Sequence, residues 1–513
     1  MKDPREERLE ADIKRAQKGG LEKYREKLAT ESKLFVRDRL KLYFPQGAAF
    51  EDGLFANWGK VEEFAADGML TGAADLEGRR VFFIANDYTV KAGSMAEKGV
   101  EKFVRTQERA LKTKTPILYL IDSSGGRITD QAGFFANRHG IGRYFYNHSI
   151  LSGVVPQICV MYGPCVAGAA YTPVFCDFVF MVRKTGSAMV IASPRMVEMV
   201  TGERISMQDL GGPDLHATES GSCDVVVEDE EEAAVMVKRL MSYLPQNCYQ
   251  QPQQYEPAPP ARDPATLMSI IPDDPNKAFD MHHVIECLID GGSWFELKPE
   301  YAPELITGLA RIDGRVVGII GNNSAVKAGA IFPESSDKAA HFIWRCDAFN
   351  IPLLYLCDTP GFMVGPAMEK NSILMRGRKF IYATSMATVP KFCVVVRKAY
   401  GAGIYAMCGP AFEPEATLAL PGAEIAIMGP EAAINAVYSN KILAIPDGPE
   451  RKAYVDKLRE EYRKDIETHV MSDQQVIDHV VPPTKLRDEL AVRLRFFQTK
   501  EETLPNKKHG AIL

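Results

Sequence analysis

Short apolar runs recur along the first half of the chain: VFFIA (81–85), ILYLI (117–121), QICVM (157–161) and DFVFMV (177–182). Between them lie helical patterns such as GVEKFVRTQERALK (99–112). The runs are apolar throughout rather than alternating, which predicts parallel strands covered by helices on both faces. They end in glycine-bearing turns: KAGS (91–94), SSGG (123–126) and CVAGAA (165–170). In open α/β sheets, ligands bind at such carboxyl ends. Glycine lets the backbone approach a ligand, and free N–H groups at a helix start can hold negative charge.

The same pattern returns 236 residues later. VFFIAN (81–86) falls on VGIIGN (317–322), and VKAG (90–93) falls on VKAG (326–329). TPILYLIDSSGG (115–126) meets IPLLYLCDTPGF (351–362), pairing Tyr119 with Tyr355 and Asp122 with Asp358. After a shift of two, VPQICVMYGPCVAGAAY (155–171) meets VPKFCVVVRKAYGAGIY (389–405). One unit is written twice in the same order. The stretch LPQNCYQQPQQYEPAPPARDP (244–264) between the copies is rich in proline and glutamine, as an extended linker is. The expected domains are therefore 1–250 and 265–505. A chain of 513 residues is too long for one core and suits two domains.

Composition narrows the function classes. The net charge of −6 and the lack of a basic stripe argue against a nucleic-acid partner. No apolar run reaches the length of a membrane span; the greasiest region, 158–182, is broken by Pro164, Pro173 and Asp177. The N-terminus is charged throughout and has no secretion signal. Ten scattered cysteines without CxxC suggest core residues in a reducing cytoplasm. A mitochondrial matrix in a eukaryote stays open, with no transit peptide evident. No metal-ligand spacing is present, so no metal is expected. The run Glu228-Asp229-Glu230-Glu231-Glu232 reads as a solvated helix start.

Side-chain nucleophile chemistry finds no support: neither a G-x-S-x-G elbow nor a P-loop occurs. His216, in LGGPDLH, reads as structural. The turns GPCVAGAAY (163–171) and RKAYGAGIYAMCG (397–409) each follow a strand and open a helix. Their backbone N–H groups could form oxyanion holes for an enolate or tetrahedral anion. Tight helix–sheet packing explains the same glycines. Gly401 to Ala406 also fits the dinucleotide fingerprint G-x-G-x-x-A, but that motif belongs to the first βα turn, and the first-unit counterpart lacks it.

The chain resembles the carboxyltransferase (β) subunit of biotin-dependent acyl-CoA carboxylases, the propionyl-, acetyl- and methylcrotonyl-CoA carboxylase family. The motifs that carry the likeness are VRDRLKLYF, GPCVAGAAYTP, TGERISMQDLGGPDLH, NKAFD, SSDKAAHFIWRCDAFNIPLL, DTPGFMVG, VPKFCVVVRKAYGAG, EIAIMGPEAA and KKHGAIL, in family order over nearly the whole chain. The resemblance implies an α/β fold of two tandem crotonase-like (ClpP/crotonase) domains. It implies carboxyl transfer from carboxybiotin, carried by a partner, to an acyl-coenzyme A thioester through an enolate. Two oxyanion holes follow, the acyl-CoA hole at Ala167 and Gly168 and the biotin hole at Ala402 and Gly403. The family pair at the first is usually Gly-Gly, so Ala167 is a departure that a backbone donor tolerates. Ala92, Gly93, Ala328 and Gly329 of the two KAG turns line the same sites. Lys91 and Lys327 could meet coenzyme A phosphates, although a solvated turn lysine is the simpler reading.

The expected partners are a biotin carboxylase with its biotin carboxyl carrier, since neither a biotinylation motif nor an ATP-grasp signature is present, and further copies of this chain in a hexamer. The acyl group stays open. SSDKAA and KKHG resemble the propionyl/acetyl type, FYNHSI and GAGIYAMCGPAF the methylcrotonyl type, and Tyr405 stands where propionyl enzymes often place an acid. Two alternatives also stay open: a biotin-dependent decarboxylase subunit of the glutaconyl- or methylmalonyl-CoA kind, and a non-catalytic crotonase-like binder of coenzyme A.

Overall fold

The computed structural model describes residues 3–512. Two compact units meet in sequence between Gln251 and Pro252. In the first, a sheet runs in the order β1 (Phe50–Asp52), β2 (Met69–Leu76), β3 (Arg79–Asn86), β4 (Ile117–Ser123), β5 (Gln157–Val166), β6 (Phe178–Val182) and β8 (Val225–Val227), with β7 (Ala188–Val190) paired to β5. The second unit repeats it as β9 (Phe295–Glu296), β10 (Leu305–Ile312), β11 (Arg315–Asn322), β12 (Leu353–Thr359), β13 (Lys391–Tyr400), β14 (Ala416–Ala419) and β16 (His479–Val480), with β15 (Glu424–Ala426) on β13.

The repeat holds at the level of single pairs. Met69 lies opposite Asn86 on β3, and Leu305 opposite Asn322 on β11. Ile117 pairs with Gln157, and Leu353 with Lys391, so the two-residue shift falls in the connection before β13. Strands β3 to β6 are parallel, as are β11 to β14. All seven residues of β4 and of β12 are buried, which is why these strands read as unbroken apolar runs. The first three strands of each sheet are antiparallel, an arrangement the run pattern did not signal.

Among the described residues no helix is long and apolar enough to cross a membrane. Among the described residues no cysteine is in a disulfide. The acidic run 228–232 does open a helix, Glu230–Met241, capped by Asp229. Glu230 departs from the solvated reading. It is buried and takes a bidentate pair from Arg39 at 2.6 and 2.8 Å, because the N-terminal helices fold back over this edge.

Candidate functional site

In each unit three loops gather beyond the carboxyl ends of three neighbouring parallel strands. The first is the KAG turn after β3. Lys91, Ala92 and Gly93 all have positive φ, at 49°, 55° and 65°. Only glycine fits at the third place, since a Cβ on Gly93 would stand 1.9 Å from the Asp122 carbonyl oxygen. In the second unit Lys327, Ala328 and Gly329 repeat the turn at 46°, 58° and 70°, with the Asp358 carbonyl 2.6 Å from a Cβ on Gly329. The middle loop, after β4, bonds to the turn through Ser124 N–H to Ala92 O at 3.1 Å. It also approaches the third loop: a Cβ on Gly125 would sit 3.1 Å from Val166 O, and one on Gly361 3.1 Å from Tyr400 O.

The third loop carries the anion-hole candidates. Ala167 and Gly401 share a φ of +57° and are backbone twins. A left-handed alanine costs on the order of 1 kcal/mol, so the turn geometry is imposed rather than relaxed. The twin of Gly168 is Ala402, and that of Ala169 is Gly403; the sequence-chosen pairs 167/168 and 402/403 are thus offset by one. The Ala402 N–H, outside any helix or strand, donates to no backbone oxygen among the described residues, whereas Gly401 N–H is taken by Ala426 O. The N–H groups of Gly93 and Gly329 bond to Val90 O and Val326 O. Ala167 and Ala402 are exposed and Gly168 is half-buried. Gly403 is buried, and a Cβ there would meet Thr359 Cγ2 at 2.8 Å.

Beneath the loops of each unit lies a buried carboxylate that sequence reasoning aligned but gave no role. Asp122 and Asp358 both sit at a break in strand register, between Ile121 and Ser123 and between Cys357 and Thr359. Such a bulge re-aims a side chain. Asp358 receives Arg397 at 3.2 and 2.9 Å. Asp122 receives Lys33 Nζ at 3.1 Å, with Arg39 at 3.9 Å. Burial pushes the Asp122 carboxyl above its usual range, against the pull of the Lys33 and Arg39 cations. An Asp inside an apolar strand was the available sequence signal.

The remaining candidates fall into place as packing. The His216 ring reaches Met189 O through Nε2 at 2.8 Å and Ser220 Oγ through Nδ1 at 2.7 Å. Lys91 pairs with Glu63 at 3.4 Å and Lys327 with Glu304 at 3.3 Å. Tyr405 is exposed, with its ring 5.7 Å from Phe412. Among the described residues no three His, Cys, Asp or Glu side chains gather at metal distance.

The carboxyl transferase domain family matches residues 28–512. The chain belongs to that family. This carboxyl transferase chain is 50% identical over 509 residues to the uncharacterized carboxylase YngE of Bacillus subtilis (strain 168), covering 99% of each. It is 37% identical to the propionyl-CoA carboxylase carboxyltransferase subunit of Haloferax mediterranei, over 97% of this chain and 96% of that one. The crystal structure of transcarboxylase 12S, described as a hexamer assembly with methylmalonyl-coenzyme A and methylmalonic acid bound, superimposes with a TM-score of 0.92. That match has 37% identity over 99% of this chain and 98% of the other. The expected α/β fold, built twice and crotonase-like, is the one found.

Proposed function

We propose that this chain is the carboxyltransferase component of a biotin-dependent acyl-CoA carboxylase, with acyl-CoA at the first unit, 1–250, and biotin at the second, 265–505. The observation that carries the reading is the same turn built twice at a strand's carboxyl end, Ala167 and Gly401 sharing a φ of +57° and the Ala402 N–H donating to no backbone oxygen among the described residues. Ala167 and Gly168 would hold the thioester oxygen as it gains charge, with Ala92 and Gly93 shaping the same edge. Ala402 and Gly403 would hold the ureido oxygen, bordered by Ala328 and Gly329. The second turn fits that group: it offers hydrogen-bond donors to an oxygen and needs none of its own polar atoms buried to do so. Carboxybiotin on a partner carrier supplies the carbon dioxide and, after its release, the nitrogen base for the carbon alpha to the thioester. Fixed dipoles aimed at developing charge need no reorganisation during the reaction, which makes backbone donors sufficient.

Both units expose apolar side chains at matching places around these loops: Ile128 and Val364, Ile191 and Ile427. We take these faces as covered by a second copy of the chain, within a homo-oligomer of the hexameric kind; light scattering showing an active monomer would end that part. The functional test is a panel of carboxylated acyl-CoAs with free biocytin as acceptor. Transfer of labelled carboxylate to biocytin is expected from at least one of them. Coenzyme A binding without any transfer would identify a binder instead.

A further inference from the structure

The two turns are held differently. In the second unit the Ala402 carbonyl accepts, among the described residues, only backbone N–H groups, from Tyr405 and Ala406, each at 3.2 Å. In the first unit the Gly168 carbonyl accepts the Tyr171 N–H and also a side chain, the Tyr144 hydroxyl at 2.9 Å. At the 236-residue shift, the place of Tyr144 is taken by Phe380, buried and without a hydroxyl.

Tyr144 stands on the helix Ile141–Leu151 and is fully buried. Its ring is wedged against Phe103 at 4.9 Å and Phe145 at 4.5 Å, so it has no room to swing. One helical turn on, His148 Nδ1 bonds to Gln157 Oε1 at 2.8 Å, and Gln157 Nε2 returns a bond to His148 O at 3.2 Å. Gln157 is the first residue of β5, and Gly168 lies just past its last. The helix therefore grips this strand at its start and grips the turn at its end. Burial raises the Tyr144 pKa well above the ordinary tyrosine value, so the hydroxyl stays protonated and donates.

We propose that Tyr144 is a positioning residue for the first turn. Its hydroxyl fixes the Gly168 carbonyl, hence the ψ of Gly168 and the plane of the Gly168–Ala169 peptide, which seats the C-terminal side of the Ala167–Gly168 N–H pair. This rests on the reading of that pair as the acyl-CoA oxyanion hole. Tyr144 does not touch the substrate; it acts through the peptide it holds.

The test compares Tyr144→Phe with Tyr119→Phe in the full-length oligomer. Tyr119 belongs to the same buried network, bonding Gln157 Oε1 at 3.2 Å and Gln107 Nε2 at 3.3 Å, but does not reach the turn. Tyr144→Phe should lower kcat for carboxyl transfer from acyl-CoA about tenfold with little change in KM, the scale of one lost hydrogen bond. Decarboxylation of free carboxybiocytin without acyl-CoA should keep its rate, and Tyr119→Phe should keep both even where it lowers Tm. Amide hydrogen exchange supplies a readout independent of turnover: residues 167–170 should exchange faster in Tyr144→Phe and as in the parent in Tyr119→Phe. Unchanged exchange in Tyr144→Phe overturns the proposal whether or not the protein turns over, as does equal loss in both variants or in both partial reactions. A parent protein that transfers no carboxylate sinks the proposed function, and the exchange result still decides the role of Tyr144 in the turn.

Discussion

The first unit holds its buried Asp122 with Lys33, a residue from the N-terminal segment 89 positions away; the second holds Asp358 with Arg397, from the adjoining strand β13. The position equivalent to Arg397 in the first unit is Gly163, and the two facts are one. A Cβ on Gly163 would lie 2.0 Å from Asp122 Oδ1 and 2.7 Å from Lys33 Nζ. Glycine leaves the space through which the lysine enters. A buried carboxylate without a cation is far costlier than either arrangement, so the duplicated unit preserves the pairing while changing which residue makes it. Arg397 is also the more deeply tied, since its Nη1 donates to Lys277 O at 2.7 Å and Asp274 O at 3.2 Å.

Arg397→Met strips Asp358 of its only close cation among the described residues and should cost about 3–5 kcal/mol of stability, read by urea unfolding. Lys33→Met should cost less, about 1–3 kcal/mol, because Arg39 stays beside Asp122. Equal losses would break the asymmetry.

The two turns can be set against each other next. Ala402 already has φ −67°, the value proline imposes, so Ala402→Pro removes the N–H with less disturbance than a change at buried Gly403. Gly168→Pro is its twin. Each should cost roughly 10²–10³ in carboxyl transfer, about 2.7–4 kcal/mol, with circular dichroism confirming that both fold. Carboxybiocytin decarboxylation without acyl-CoA should survive Gly168→Pro and fail in Ala402→Pro. The reverse pattern would exchange the two sites, and equal failure in folded oligomers would remove the assignment.

Gly163→Ala tests the space itself and should cost about 1–3 kcal/mol through overpacking. The smallest effect concerns a feature the first unit lacks. His282 lies between Asp280 at 2.7 Å and Glu296 at 3.0 Å, which raise its pKa to about 9, Glu296 most strongly. A raised histidine pKa stabilises the fold below the ordinary value near 6.5, and that contribution is lost as pH climbs through about 9. The stability difference between parent and His282→Asn should therefore shrink from pH 6 to pH 9.5, by less than about 1 kcal/mol for so partly exposed a pair.

Much of the fold is legible in the sequence. The apolar runs became β3 to β6, and both VKAG stretches became the same left-handed turn, because burial on two faces and a carbonyl pressed against Gly93 or Gly329 each leave a local mark. The antiparallel strands β2 and β10 were missed, since MLTGAADL mixes polar and apolar residues without clear alternation. The link from Lys33 to Asp122 could not be read either: it joins residues distant in sequence through a gap that exists only once the N-terminal helices have packed. The one-residue offset between the chosen pairs follows from the two-residue shift, which sets Ala167 on Gly401; what the sequence does not advertise is that Ala167 shares the left-handed φ of its glycine twin.

The ten cysteines, none of them in a disulfide, also have a use. Five lie in each half of the chain: 159, 165, 176, 223 and 248, then 287, 346, 357, 393 and 408. All but Cys248 are buried. A thiol inside a sheet reacts with an alkylating reagent only after the strand above it opens, so labelling under native conditions becomes a clock with one hand in each half. Mass spectrometry of the labelled peptides would time the opening of the lysine-held and arginine-held sheets separately, in one protein and one tube, with no residue introduced.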